Sequence, residues 1–248
     1  MPRIDLNCDL GEGAGHEAEL MPLITSANIA CGAHAGDAAT MRATVALALQ
    51  HGVAIGAHPG FVDRDHFGRR ELSLTEGEIH DLVLHQLREL QAIAREHGVQ
   101  VGHVKPHGAL YNLAACDAVT ARTIAAAVRE ADPRLRLFGL AGSKLIEAGA
   151  AAGLATVSEV FADRTYQPDG SLTPRDRPEA LISDADRAVA QVLRLVCEGR
   201  VRAVDGTDIA VKADTVCLHG DGPDAVAFAR RVSAALRAAG IELKPAAE

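Results

Sequence analysis

Large rings are scarce in this chain. Aromatic residues make up 3% of its 248 residues, with 2 Tyr, 5 Phe and no Trp. A core without them must be filled by Ala, Val, Leu and Ile, which suits helices packed closely on a parallel sheet. Cysteine is also sparse: Cys8, Cys31, Cys116, Cys197 and Cys217, with no C-x-x-C pair. An odd, scattered set argues against a disulfide framework or a zinc ribbon. Cys8, Cys31 and Cys217 fall in or near apolar runs and read as small core residues. Only 4 of the 25 basic residues are Lys, and the formal charge is −8. That balance excludes the basic footprint of a nucleic-acid binder. No apolar run reaches membrane-spanning length, and no basic stretch leads into an apolar run at the N-terminus. The expectation is a soluble, cytoplasmic protein with no membrane partner. A G-x-S-x-G elbow, an H-E-x-x-H pair and a G-x-x-x-x-G-K-[ST] loop are all missing, which removes three common ways of building an active site.

What the chain does have is five apolar runs that each end in a small cluster rich in His, Asp and Gly. They are DLNCDLGE from Asp5, NIACGAHAGD from Asn28, GAHPG from Gly56, HVKPHG from His103 and LHGD ending at Asp221. Strands are expected over 3–6, 27–30, 53–57, 101–104, 135–140, 156–160 and 215–218. Helices are expected over 37–51, 75–97, 117–131, 143–152, 184–198 and 223–239. Thr75 and Glu78 stand at capping-box spacing. Gly52, Gly98, Gly153, Gly199 and Gly240 each stop a helix and precede a β-like run. An Asp205-Gly206 turn predicts a hairpin between 200–204 and 209–212. Helix, glycine, strand, repeated with no Pro/Gly/Ser-rich linker, predicts one α/β barrel-like domain over 1–248. Such barrels collect their chemistry at the C-terminal ends of their strands, where these clusters lie. The polar stretch 163–178 then reads as a loop over the barrel mouth.

Period-two alternation puts Asp5, Asn7 and Asp9 on one strand face. A buried carboxylate row is costly unless it binds or pairs with something. It suits a hard cation, a held water or a pair with Lys105; turn-forming Asx bonds near Gly11 are the plainer reading. His34 and His58 occupy equivalent strand ends, where imidazole serves as base, ligand or hydrogen-bond donor. In HVKPHGALYN, His103 and Lys105 share a face, and His107 follows in the turn. Arg69 and Arg70, beside Gly68, suit bidentate anion binding, and a solvated turn is the competing reading. Asn28, Asp163 and Arg164 add polar groups at strand ends. His103 and His107 are four apart, but Pro106 spoils a helical metal pair, so a metal is allowed and not compelled.

Taken in order, these motifs resemble the LamB/YcsF family along nearly the whole chain, through DLNCDLGE, SANIACG, HAGD, GAHPG, FGRR, HVKPHGALYN, EVFADR and HGD. The resemblance implies an irregular barrel of seven strand–helix units, akin to glycoside hydrolases and polysaccharide deacetylases. It also implies an A subunit that works with subunits B and C. Together they open the lactam of 5-oxo-L-proline to L-glutamate while ATP becomes ADP and phosphate. Asp9, His34, Lys105 and His107 are the catalytic candidates on that basis. Lys105, Arg69 and Arg70 would meet phosphate, and Asp9, His34 or His107 would be the base. Asp5, Asn7, Asn28, His58, Arg69, Arg70, Tyr111, Asn112, Asp163, Arg164 and His219 are the substrate-binding candidates. ATP is the expected co-substrate, with a divalent metal such as Mg possible beside it. Ala33 departs from the family's usual Phe, which would enlarge the pocket beside His34. The alternative is a metal-dependent carbohydrate deacetylase or hydrolase, its ion held by Asp5 or Asp9 with His34 and His58.

Overall fold

The computed structural model describes residues 2–220 and 225–246, so Asp221 and the start of the expected helix at 223 lie outside the described residues. The strands are β1 (Arg3–Leu10), β2 (Ser26–Ala30), β3 (Ala54–His58), β4 (His103–Val104), β5 (Arg136–Leu140), β6 (Ala155–Phe161), β7 (Arg200–Arg202), β8 (Asp208–Ala210), β9 (Thr215–Leu218) and β10 (Glu242–Leu243). The α-helices are α1 (Glu17–Leu20), α2 (Ala38–His51), α3 (Glu76–Glu96), α4 (Gly108–Cys116), α5 (Ala118–Ala131), α6 (Lys144–Ala151), α7 (Ala185–Leu193) and α8 (Ala225–Ala238).

Seven of the strands form a closed parallel barrel in the order β1-β2-β3-β4-β5-β6-β9, and β9 returns to pair with β1. The helices cover its outside. Capping explains where they begin: Asp37, Asp117, Ser143 and Asp184 each accept a backbone N–H of the first turn, and Thr75 and Glu78 form the expected reciprocal box. Two units depart from the regular pattern. Between β1 and β2 the helix shrinks to the single turn α1, and between β6 and β9 the chain adds α7 and the antiparallel β7–β8 hairpin.

Several expectations need adjusting. The first strand runs on to Leu10, because Asn7–Leu10 pair with Ser26–Ile29. The helix expected over 184–198 turns π-helical at Arg194–Glu198 before Gly199 ends it. α4 is unexpected, since it starts on Gly108 at φ 57 with no side-chain cap. β10 adds to the N-terminal end of β1 through Arg3↔Glu242 and Ile4↔Leu243, outside the barrel.

Alternation along β1 divides two environments. Ile4, Leu6, Cys8 and Leu10 join the apolar layer beneath the helices. Asp5, Asn7 and Asp9 bond instead to side chains of β2, β4, β6 and β9 or the residues beside them, so they face the barrel interior. The interior is therefore polar, in contrast to the branched apolar layers that usually fill such barrels.

Candidate active site

The deepest polar layer secures Asp5. Its carboxylate accepts hydrogen bonds from Thr25, Ser26 and Thr215. Burial raises its pKa, and the three hydroxyl bonds work against that rise. Asp5 lines neither cavity at the barrel mouth. Asn7 is likewise enclosed: it donates to Glu159 Oε1 at 3.0 Å and to Thr215 Oγ1 at 2.7 Å, and accepts from Asn28 at 2.8 Å.

One layer nearer the mouth, Asp9 pairs in register with Asn28, and Asn28 with Gly56, which pairs with His103. Asn28 donates to Asp9 Oδ1 at 2.8 Å, and His103 Nε2 reaches Asn28 Oδ1 at 2.8 Å. The missing side chain of Gly56 makes room for that reach, because a Cβ there would lie 2.0 Å from His103 Nε2. Burial first, then the nearby Lys105 charge, pushes the His103 pKa down to about 3, so this ring is neutral.

Lys105 lies at the centre. Its Nζ is 2.8 Å from Asp9 Oδ1 and 2.8 Å from Glu159 Oε1, and it also donates to Asn7 Oδ1 at 3.1 Å and Cys217 Sγ at 3.1 Å. Burial opposes the ammonium, but Asp9, Cys217 and Glu159 outweigh it and hold the pKa well above the ordinary lysine value. The same pairing affects Asp9: burial opposes its ionisation, yet His58 and Lys105 hold its pKa well below the usual range. Tyr111 completes this layer by donating to Glu159 Oε2 at 2.7 Å. With its charge matched by two carboxylates, Lys105 holds Asp9 in place at the base of the recess.

Above this layer three histidines and Glu12 meet. His58 Nδ1 donates to the Lys105 carbonyl at 2.7 Å, which leaves Nε2 facing Asp9 Oδ2 at 3.3 Å and His107 Nδ1 at 2.9 Å. His107 Nε2 donates to the Phe67 carbonyl at 2.8 Å. His34 stacks on His107 with planes 4° apart and centroids 3.7 Å apart, and its Nε2 bonds Glu12 Oε1 at 3.1 Å. Burial, followed by the neighbouring histidines, pushes His107 well below the ordinary imidazole value. Burial also leads the lowering of His34, against its hydrogen bond to Glu12. His58 rises despite its burial, because Asp9 and Glu12 favour its charged form. Gly68, at φ 62, permits this crowding: a Cβ there would lie 2.8 Å from the His34 Cβ.

These groups open on a small recess of about 40 Å³ lined by Asp9, Glu12, His58, Lys105 and His107, by the buried Arg164, and by the exposed Arg69 and Arg175 at its rim. A wider cleft of about 730 Å³ shares Arg69, Asn112, Arg164 and Arg175 with it and continues to Ser143. The recess holds a few water-sized groups, and the cleft has the volume of a small-molecule site. The 163–178 stretch does fold over the mouth, through Arg164, Leu172 and Arg175. Within it His219 Nδ1 donates to Asp163 Oδ2 at 2.7 Å, and Arg175 donates to His219 Nε2 at 2.9 Å. Burial would raise the Asp163 pKa, but His219 and the nearby Arg175 and Arg164 hold it below the ordinary value.

Of the expected residues, Asp9, His58, Arg69, Lys105, His107, Tyr111, Asn112, Arg164 and His219 line the recess. His34 and Asn28 support it from behind, and Asp163 supports His219. Arg70 does not reach it: Arg70 pairs with Asp63 at 3.2 Å, and neither residue lines the recess or the cleft. Ala33 is buried and lines neither the recess nor the cleft. Asp5 does not join Glu12, His34, His58 and His107, whose candidate ligand atoms lie within 4.8 Å of one another. Glu12, Glu159 and Arg175 reach the site although the sequence reading gives them no role. Two of them have a signal there, since Glu12 closes DLNCDLGE and Glu159 opens EVFADR.

The sequence profile of the LamB/YcsF family matches residues 4–248. A protein of Geobacillus thermodenitrificans (strain NG80-2), named as the A subunit of 5-oxoprolinase, is 57% identical over 248 residues, covering 98% of this chain and 97% of that one. A protein of the same name from Neisseria meningitidis serogroup A is 53% identical over 243 residues, covering 98% and 99%. The crystal structure of a lactam utilization protein from Thermus thermophilus matches with a TM-score of 0.92 at 46% identity, over 98% of this chain and 99% of that one. A T48 deacetylase with substrate matches at a TM-score of 0.52 and 16% identity, over 98% and 87% of the two chains, a likeness of fold alone.

Proposed function

The chain belongs to the LamB/YcsF family, and from that premise we propose that it is the A subunit of an ATP-dependent 5-oxoprolinase, which opens the lactam of 5-oxo-L-proline to L-glutamate as ATP becomes ADP and phosphate. The observation that carries this reading is identity above 50% along the full length of relatives bearing that name. Subunits B and C complete the enzyme in this reading.

The site suits the chemistry. A five-membered lactam is a stable amide that water attacks poorly, and phosphorylation of its oxygen turns that oxygen into a leaving group. Asp9, fixed by Lys105 and Asn28, orients the attacking water in the recess through Oδ2. Arg69 and Arg175 at the rim, with the buried Arg164, meet the phosphate. Asn112, beside them, meets the polar end of the substrate. His34 holds Glu12, and Glu159 and Tyr111 hold the lysine.

The test is 5-oxoproline-dependent ATP hydrolysis by this chain alone and after addition of B and C. Activity that needs all three and disappears in Asp9→Asn is the expected outcome. Reconstituted activity that is unchanged without this chain overturns the reading.

A further inference from the structure

We infer that Glu12, His58 and His107 form a binding site for one divalent first-row transition ion, with an open coordination position facing the recess. Three observations lead there. First, the two imidazoles are fixed in tautomer by backbone. A carbonyl can only accept, so His58 Nδ1–H is committed to Lys105 and His107 Nε2–H to Phe67, at 2.7 and 2.8 Å. With those protons placed, His58 Nε2 and His107 Nδ1 face each other only 2.9 Å apart, beside the carboxylates of Asp9 and Glu12, which favour positive charge at this gap. Two ring nitrogens so close need a cation between or beside them. A ring N–H held by a backbone carbonyl is also the usual support of a metal-ligating histidine.

Second, the spacing fits. Glu12 Oε1 lies 3.3 Å from His107 Nδ1 and 3.7 Å from His58 Nε2. Donors at tetrahedral corners around zinc, at bonds of about 2.0–2.1 Å, stand about 3.3 Å apart. His34 is excluded from the set by its stacking on His107, since parallel rings 3.7 Å apart direct their lone pairs side by side rather than to one point. It instead holds the Glu12 carboxylate at 3.1 Å.

Third, Asp9 and Glu159 share Lys105, whereas among the described residues the groups at ion-pair distance from Glu12 are the imidazoles of His34, His58 and His107. All three donors line the recess, so an ion there keeps a position open on the cavity side. Two imidazoles and one carboxylate suit zinc, cobalt, nickel or iron better than magnesium. The site does not depend on the lactam reading, because its readout is binding.

The rival occupant of the gap is a proton shared by the two rings. The test uses the untagged full chain, stripped with chelator, and titrates it calorimetrically with Zn²⁺. Expected is one equivalent, with Glu12→Gln, His58→Gln and His107→Gln each weakening binding at least about 100-fold and His34→Gln about 10-fold. His219→Gln, in the neighbouring Asp9–Cys217–His219 group, leaves affinity unchanged. X-ray absorption on the zinc-loaded wild-type chain reads the ligands without any variant, and two imidazoles with oxygen and no sulfur are expected. Absence of stoichiometric binding assigns the gap to a proton and overturns the inference. A sulfur ligand, or loss of binding in His219→Gln alone, places the ion on the other group and overturns it equally.

Discussion

The Lys105 ammonium lies 2.8 Å from Asp9 Oδ1, inside a barrel whose interior is polar instead of branched and apolar. Nearly all of both side chains is out of water. Removing one partner of such a pair leaves an uncompensated charge, which costs about 3–5 kcal/mol. Lys105→Met should therefore lower the melting temperature by about 10 °C, given about 2–4 °C per kcal/mol at this chain length. Differential scanning calorimetry checks this. A variant as stable as wild type would mean that Asp9 and Glu159 need no cation.

Gly56 and His103 are coupled by contact. Gly56→Ala forces the ring off Asn28 and should cost about 2–3 kcal/mol in urea unfolding. In a His103→Ala background the same change meets no ring, and its cost should fall below about 1 kcal/mol. A double-mutant cycle measures the difference, and additive costs would refute the coupling.

His103 also predicts an acid dependence. Its folded pKa, about 3, lies below the unfolded value of about 6.5. Below pH 6.5 the unfolded chain therefore binds a proton that the folded chain refuses, and stability falls with pH until about 3. From this one group the loss by pH 5 is about 2 kcal/mol. The drop in urea midpoint between pH 7.5 and 5.0 should be smaller in His103→Asn, which cannot take the proton, while His34 and His107 keep their own share of the loss. An equal acid loss in that variant assigns the dependence elsewhere.

Arg69 and Arg70 are adjacent in sequence and differ in position. Arg69→Ala should lower kcat/KM of the reconstituted enzyme about 10-fold, the effect of one exposed charge-assisted contact. Arg70→Ala should change it less than about 2-fold, because Arg70 pairs with Asp63 away from the recess. Steady-state kinetics that rank the two in the opposite order would move the anion site.

Much of this architecture was legible because its signals are local. Helix-stopping glycines at 52, 98, 153, 199 and 240 all adopt positive φ, and the Thr75–Glu78 box closes as written. Period-two alternation correctly puts Asp5, Asn7 and Asp9 on one face. The same pattern says nothing of depth, so Asp5, enclosed by three hydroxyls, looks equivalent to Asp9 at the recess. A pair between Lys105 and the β1 carboxylate row was legible as one reading, and Asp9 makes it, but the second carboxylate, Glu159, was not, since it stands on β6. α4 escapes a sequence reading because a glycine in left-handed conformation begins it, where such residues usually end helices. Arg175 reaches the rim only through the fold of a long loop, and no periodicity encodes that.

The pairing of β1 with β9 sets an order of events during synthesis. The Asp5 carboxylate takes one of its hydrogen bonds from Thr215, 210 residues downstream. The first strand of the barrel to be made thus waits for the last, and the intervening chain must be closed as one large loop. Until then Asp5 and Asn7 lack their β9 partner and the barrel seam stays open beside β1. A nascent chain arrested before residue 215 should therefore expose both edges of an unclosed parallel sheet.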